Sequence, residues 1–144
     1  MTTVCWDGQT LAADRRTVNH GSKHGTVTKI YSIRGSLCAI TGMFDIGLEL
    51  LDWYRNGAVP EHYPQLQVET NESSLWVITP DRRITAYSRS PIPMVFEQQY
   101  MAAGSGRDYA LAAMFLGQNA RDAVRVACAF DVDSGNGIDT LSFD

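Results

Sequence analysis

Apolar and polar positions along the chain follow two different periods, and their order predicts which elements form. Thr2 to Asp7 alternates loosely and runs into Asp7-Gly8, a two-residue hairpin signal, after which Gln9 to Ala13 reads as the returning strand. Thr17 to Thr28 is polar and glycine-containing, the pattern of a loop. Two apolar runs follow, Lys29 to Ile33 and Ser36 to Thr41, joined by Arg34-Gly35. The start of the chain is therefore expected to form a four-strand antiparallel set.

From Met43 to Arg55 the spacing becomes helical, with Phe44, Leu48, Leu51 and Trp53/Tyr54 at three- and four-residue steps, Asp45 in the first turn and Gly57 as a stop. Residues 58–73 hold Pro60, Pro64 and many polar groups and read as a connection. Ser74 to Thr79, Arg83 to Ser88, Met94 to Gln98 and Met101 to Ala103 read as strands, the last ending in the turn Gly104-Ser105-Gly106. An alanine-rich helix is predicted from about Arg107 to Leu116, with Gly117 as its stop. A second opens at Asn119 with Asp122 three residues on, as in a capping box. In that second helix Ala120, Ala123, Val124, Ala127 and Cys128 form one narrow face of small residues, suited to close approach to a sheet. Gly137 to Phe143 is the final strand. This order is α+β, and two antiparallel sheets with helices outside both would bury every pattern in it.

Composition narrows the function. The 144 residues fit a single domain spanning 1–144, large enough to bury a core without metal or disulfide staples. The net charge of −4 and the isolation of the basic pairs Arg15-Arg16 and Arg82-Arg83 argue against nucleic acid as a partner. No apolar run approaches the length that spans a bilayer, and no charged-then-apolar leader is present, so the expected location is the cytoplasm. Cys5, Cys38 and Cys128 are widely spaced within apolar stretches and read as small buried hydrophobes. His20, His24 and His62 lie in loops without zinc-ligand spacing.

The chemistry concentrates at the beginning. Removal of Met1 would leave Thr2 carrying both a hydroxyl nucleophile and a free amine. The reference pKa of an α-amine, about 7.7–8.0, leaves an appreciable neutral fraction to take the hydroxyl proton. If Met1 stays, the Thr2 nitrogen is acylated and cannot act as that base.

Five short motifs then occur in order along nearly the whole chain. They are Thr2-Thr3-Val4 with Leu11-Ala12-Ala13-Asp14, Thr28-Lys29-Ile30, Thr41-Gly42 leading to Asp45, Gly104-Ser105-Gly106 followed by Tyr109-Ala110, and Asp131-Val132-Asp133-Ser134-Gly135. Together they resemble the proteasome β-subunit family of N-terminal-nucleophile hydrolases, and most of all its HslV-like branch. The resemblance implies a four-layer αββα sandwich and a threonine peptidase acting on protein or peptide substrates inside a homo-oligomeric ring, which an ATP-dependent unfoldase could feed.

The same resemblance gives roles to particular positions. Thr2 would attack the peptide carbonyl, Lys29 would be the catalytic lysine and Asp14 the acidic residue that orients it; the competing reading of that pair is a surface ion pair. Lys23 is the rival lysine, but it sits in a polar loop, whereas Lys29 begins an apolar strand. Ser105 and Asp131 would support the terminal amine, or serve as a helix N-cap and a loop residue. The oxyanion donor falls at Thr41 or Gly42, with the register open by one. Val27, Tyr31, Ala39 and Met43 would surround the side chain preceding the cleaved bond, or belong to the core. No cofactor is implied as required. The 131–136 segment has neither the Gly at position six nor the Glu at position twelve of a calcium-binding EF-hand. In the family its backbone carbonyls can hold a structural monovalent or divalent cation, here on Cys128, Asp131 and Ser134.

One departure stands out. The 58–73 connection is short and proline-bearing where the family has a second long helix, so one helical layer is expected to be thin, with the ring contacts and unfoldase docking altered. Two other functions fit the same resemblance: a non-proteolytic amidase on this fold, and a catalytically silent assembly subunit.

Overall fold

The computed structural model describes residues 2–19, 21–65 and 73–144, without the side chain of Lys23. Met1 and His20 lie outside the described residues. Eleven strands are described: β1 Val4–Trp6, β2 Thr10–Asp14, β3 Arg16–Asn19, β4 Ser22–Thr26, β5 Ile30–Ile33, β6 Ser36–Thr41, β7 Ser74–Ile78, β8 Ile84–Tyr87, β9 Met94–Phe96, β10 Met101–Ala103 and β11 Ile138–Ser142. The helices are α1 Phe44–Arg55, α2 Arg107–Phe115 and α3 Ala120–Phe130, with a short 3-10 turn at Pro60–His62.

Two antiparallel sheets, ordered β10-β1-β2-β11 and β5-β6-β7-β8-β9, form the centre. The inner strands β1, β2 and β6 are buried along nearly their whole length, so in them the period of two only decides which layer a residue joins, whereas β9 and β11 keep exposed positions. Val4, Trp6, Leu11 and Ala13 meet Ile30, Leu37, Ala39, Ile78 and Ile84 between the sheets. The alternate residues Cys5 and Ala12 face Ala110, Ala113, Ala120, Ala123, Val124 and Ala127 of α2 and α3. Across the other sheet, Cys38 and Ile40 face Leu50, Leu51, Trp53 and Tyr54 of α1. The result is the expected αββα arrangement, with α1 and the 3-10 turn on one face and two helices on the other.

Small residues set how closely these layers approach. A Cβ at Gly47 would lie 1.9 Å from Ile40 Cγ2, so α1 can press on β6 only because Gly47 is there. Leu48, which its spacing put on the apolar face of α1, is instead 41% exposed, and Gly47 and Leu50 take the inward positions. Trp53 packs edge-on against Tyr63 and Tyr87 at 4.7 and 5.0 Å. The predicted cap of α3 forms, with Asn119 accepting the Asp122 N–H at 2.8 Å. Asp7 accepts the N–H of Ala120 at 2.8 Å while also holding the Gln9 and Thr10 N–H groups of the first hairpin turn, which ties that turn to α3.

Two sequence expectations are corrected. The four early strands do not form one set: β1 and β2 pair with each other and with the distant β10 and β11, whereas β5 and β6 belong to the other sheet. Chain adjacency predicted the two hairpins but could not reveal which outer edges they share. The polar 17–28 segment is not a plain loop either. It folds as the two-stranded β3–β4 hairpin, whose half-exposed and exposed positions lack the alternation that marks a buried strand.

Candidate active site

The pairing of β1 and β2 positions the functional residues. Thr2 and Thr3 precede β1, and Asp14 ends β2 opposite them, with its N–H donating to Thr3 O at 3.1 Å. Strand β10 pairs with β1 through Val4 and Ala103, which delivers the Gly104-Ser105-Gly106 turn to the chain start. Strand β11 pairs with β2 through Ile138 and Asp14, which delivers the 131–136 turn. Lys29 comes from the other sheet, one residue before β5.

Asp14 is fully buried and accepts five donors among the described residues. Its Oδ1 takes Thr2 Oγ1 at 3.3 Å, the Thr3 N–H at 2.9 Å and Lys29 Nζ at 2.9 Å. Its Oδ2 takes the N–H groups of Arg16 at 3.1 Å and Gly135 at 3.0 Å. Lys29 is 3% exposed, so the pair is a buried one and not the alternative surface ion pair. Burial pushes the Lys29 ammonium below the ordinary lysine range, while the charge and hydrogen bond of Asp14 pull it part of the way back.

A second network holds the other polar end of Thr2. The Thr2 N–H donates to Ser105 Oγ at 3.1 Å, and Ser105 Oγ donates to Asp131 Oδ2 at 2.7 Å. Ser134 Oγ donates to the same oxygen at 2.6 Å and lies 2.7 Å from Thr3 Oγ1. Since the Ser134 proton goes to Asp131, the Thr3 hydroxyl is the donor to Ser134. Burial of Asp131 works to raise its pKa, but the hydrogen bonds from Ser134, Ser105 and the Asp133 N–H outweigh it, and the carboxyl titrates below its ordinary value.

Glycine is required at the contact between these networks. Gly104 has φ +94°, and a Cβ there would lie 2.0 Å from Thr2 O. Gly104→Ala is expected to destabilise the protein by about 1–3 kcal/mol through strain and overpacking, read as a lower urea midpoint.

A cavity of about 520 Å³ opens on Thr2 and Lys29, with Val27, Ile40, Gly42 and Met43 in its wall. Of the four pocket candidates, Val27 and Met43 line it. Ala39 is fully buried between the sheets, and Tyr31 packs with the α1 cluster, its hydroxyl donating to Thr28 O at 2.6 Å. Gly42, with φ +88°, lies on the cavity wall between Thr41 and Met43. The Thr41 hydroxyl accepts the Trp76 indole N–H at 3.1 Å, and the Met43 N–H donates to Ser73 Oγ at 2.9 Å.

No family model and no curated protein matches the sequence. Solved structures do match. BPH of Thiobacillus denitrificans is similar at a TM-score of 0.70 and 25% identity, over 99% of this chain and 98% of that one. The same protein in complex with epoxomicin gives 0.69 and 24% over the same shares. Eukaryotic HslV from Trypanosoma brucei gives 0.68 and 20%, over 97% of each chain. The chain has the HslV-like fold of the proteasome β-type proteins.

Within this HslV-like frame, Thr2, Asp14, Lys29, Ser105 and Asp131 come together around one point. The side chain of Lys23, the rival lysine, lies outside the described residues. Among the described residues no three His, Cys, Asp or Glu side chains are grouped to hold a metal. The Cys128 thiol is pushed up to about 11, by burial first and by Asp14 next. Two further hydroxyls join the networks, those of Ser134, which the sequence motifs involve only through its carbonyl, and of Thr3, which they involve only as part of the opening stretch. The Asp131-x-x-Ser134 spacing in a turn was the signal for the first, since Asx and Ser/Thr turns close such loops by side-chain hydrogen bonds.

Proposed function

We propose that this chain is a threonine peptidase of the HslV-like type, with Thr2 as its N-terminal nucleophile once Met1 is removed. The observation that carries this is the double engagement of one buried residue. The Thr2 hydroxyl reaches Asp14, which holds Lys29, and the Thr2 nitrogen reaches Ser105, which is held by Asp131. A merely structural threonine needs neither a buried ammonium nor a carboxylate relay.

In the proposed reaction the neutral Thr2 amine takes the proton of its own hydroxyl, and Oγ1 attacks the peptide carbonyl. The Lys29 charge lowers the pKa of both groups, favouring the alkoxide-like nucleophile and the free amine. A backbone N–H of the Thr41-Gly42 turn receives the developing oxyanion. Collapse of the tetrahedral intermediate breaks the C–N bond, and the ammonium of Thr2 returns its proton to the leaving amine. Water, activated by the same amine, then hydrolyses the ester on Oγ1.

The reading requires no cofactor. A structural cation would rest on the backbone carbonyls of Cys128, Asp131 and Ser134; the Asp131 carbonyl already accepts the Ser134 N–H at 3.2 Å and keeps one lone pair. A ring of copies in the cytoplasm, served by an ATP-dependent unfoldase, belongs to the same reading. Exposed Phe115, Leu116, Phe130 and Val132 near the α2–α3 face support assembly. Among the described residues no helix is long and apolar enough to cross a membrane.

Cleavage of unfolded protein and of short fluorogenic peptides by the purified particle tests the reading against an amidase, which would leave both intact and hydrolyse only a non-peptide amide. The pH profile tests the role of Lys29. Its folded pKa lies below its unfolded value, so the folded state binds fewer protons between the two, and this group's contribution to stability rises with pH across that window. Activity should move the other way, falling as Lys29 loses its charge. We expect kcat/KM to decline reversibly on the alkaline side below the ordinary lysine pKa, before the near-UV circular dichroism changes.

A further inference from the structure

A second cavity, about 540 Å³, lies beside the nucleophile and is not used by the scheme above. Its wall includes Thr41, Gly42, Trp76, Gly104, Ser105 and Arg107. Gly42 borders both cavities; Thr2 lines the first, and Gly104 and Ser105 of the second touch Thr2. We propose that this second cavity receives the residue following the cleaved bond and that Arg107 makes it select an acidic side chain there. The proposal rests on the peptidase reading and deepens it.

The chemistry decides which half of the substrate goes where. An extended peptide with its carbonyl at Thr2 Oγ1 sends one half to each side. The half that leaves must have its nitrogen near the amine that protonates it, and the Thr2 nitrogen is hydrogen-bonded at 3.1 Å to Ser105, a wall residue of the second cavity. The half that stays on the enzyme then faces the first cavity, with its apolar Val27, Ile40 and Met43.

Charge decides the preference. Arg107 is the one ionisable residue among those described as lining the second cavity, and no carboxylate shares the wall. Its contact with Asp108 is 4.0 Å long and its side chain is 62% exposed, so the guanidinium is weakly engaged and accessible to a substrate carboxylate. The first cavity, in contrast, mixes Arg16 and Lys29 with Asp45.

The test is kcat/KM for three quenched fluorogenic peptides that differ only in the residue after the cleaved bond: Glu, Gln or Lys. The expected order is Glu over Gln over Lys, with about a tenfold span at low salt that narrows as salt is added. Arg107→Glu should reverse the order, and Arg107→Gln should flatten it. Cleavage by the parent with equal rates for all three peptides, or an order unchanged in Arg107→Glu, overturns the proposal and leaves the peptidase reading standing. No cleavage of any peptide by a protein that has lost Met1 overturns both.

Discussion

Thr2→Ala is expected to lower peptide cleavage by on the order of 10³-fold or more, while the protein folds as before. The first half follows from the chemistry: alanine keeps the amine but has no oxygen to acylate. The second follows from the geometry, because Thr2 Oγ1 supplies only one of five donors to Asp14, and the longest of them at 3.3 Å. Stability should therefore change by about 1 kcal/mol, the net worth of one hydrogen bond. Thr2→Ser keeps both functional groups and should retain measurable cleavage. Single-turnover kinetics and urea unfolding on the same preparations separate the two effects. A Thr2→Ala protein that cleaves at the parental rate would remove the nucleophile from the account.

Asp14→Asn is expected to cost both activity and about 3–5 kcal/mol of stability. The new amide NH₂ would point at groups that are themselves donors, and the Lys29 ammonium, 3% exposed, would lose the carboxylate charge that it meets at 2.9 Å. The decisive comparison is the double variant Asp14→Asn with Lys29→Met. Removing the buried ammonium should recover much of the lost stability, giving a clear coupling in a double-mutant cycle, and should recover none of the activity. A double variant as unstable as Asp14→Asn alone would show that the backbone N–H groups of Thr3, Arg16 and Gly135, and not the ion pair, account for the loss.

These residues also show what could be read along the chain. Hairpins, helices and the α3 cap were legible because their signals are local: Asp7-Gly8, the helical spacing after Met43, and Asn119 with Asp122. Sheet membership was not, since β1 and β10 pair across about a hundred residues and nothing near Val4 specifies Ala103. The β3–β4 hairpin gives no strand signal because its positions are exposed or half-exposed and mostly polar. In the site, the ordered motifs point to Thr2, Asp14, Lys29, Ser105 and Asp131, which the structure brings together. The motifs do not reveal Thr3 and Ser134 as members of the hydrogen-bonded chain, because a hydroxyl's role depends on where its proton goes, and that direction follows from Ser134 lying 2.6 Å from Asp131 and 2.7 Å from Thr3. Tyr31 and Ala39 fall outside the cavity because strand alternation and full burial take them to other layers.

Every mechanism here depends on the state of the Thr2 nitrogen. The most direct measurement is the intact mass of the protein purified from its native host, before and after incubation with epoxomicin, the compound with which the Thiobacillus protein was solved. The account predicts a mass lacking Met1, a gain of one epoxomicin per chain located at Thr2, and no gain in Thr2→Ala. A mass that retains Met1, with no adduct at Thr2, would contradict it.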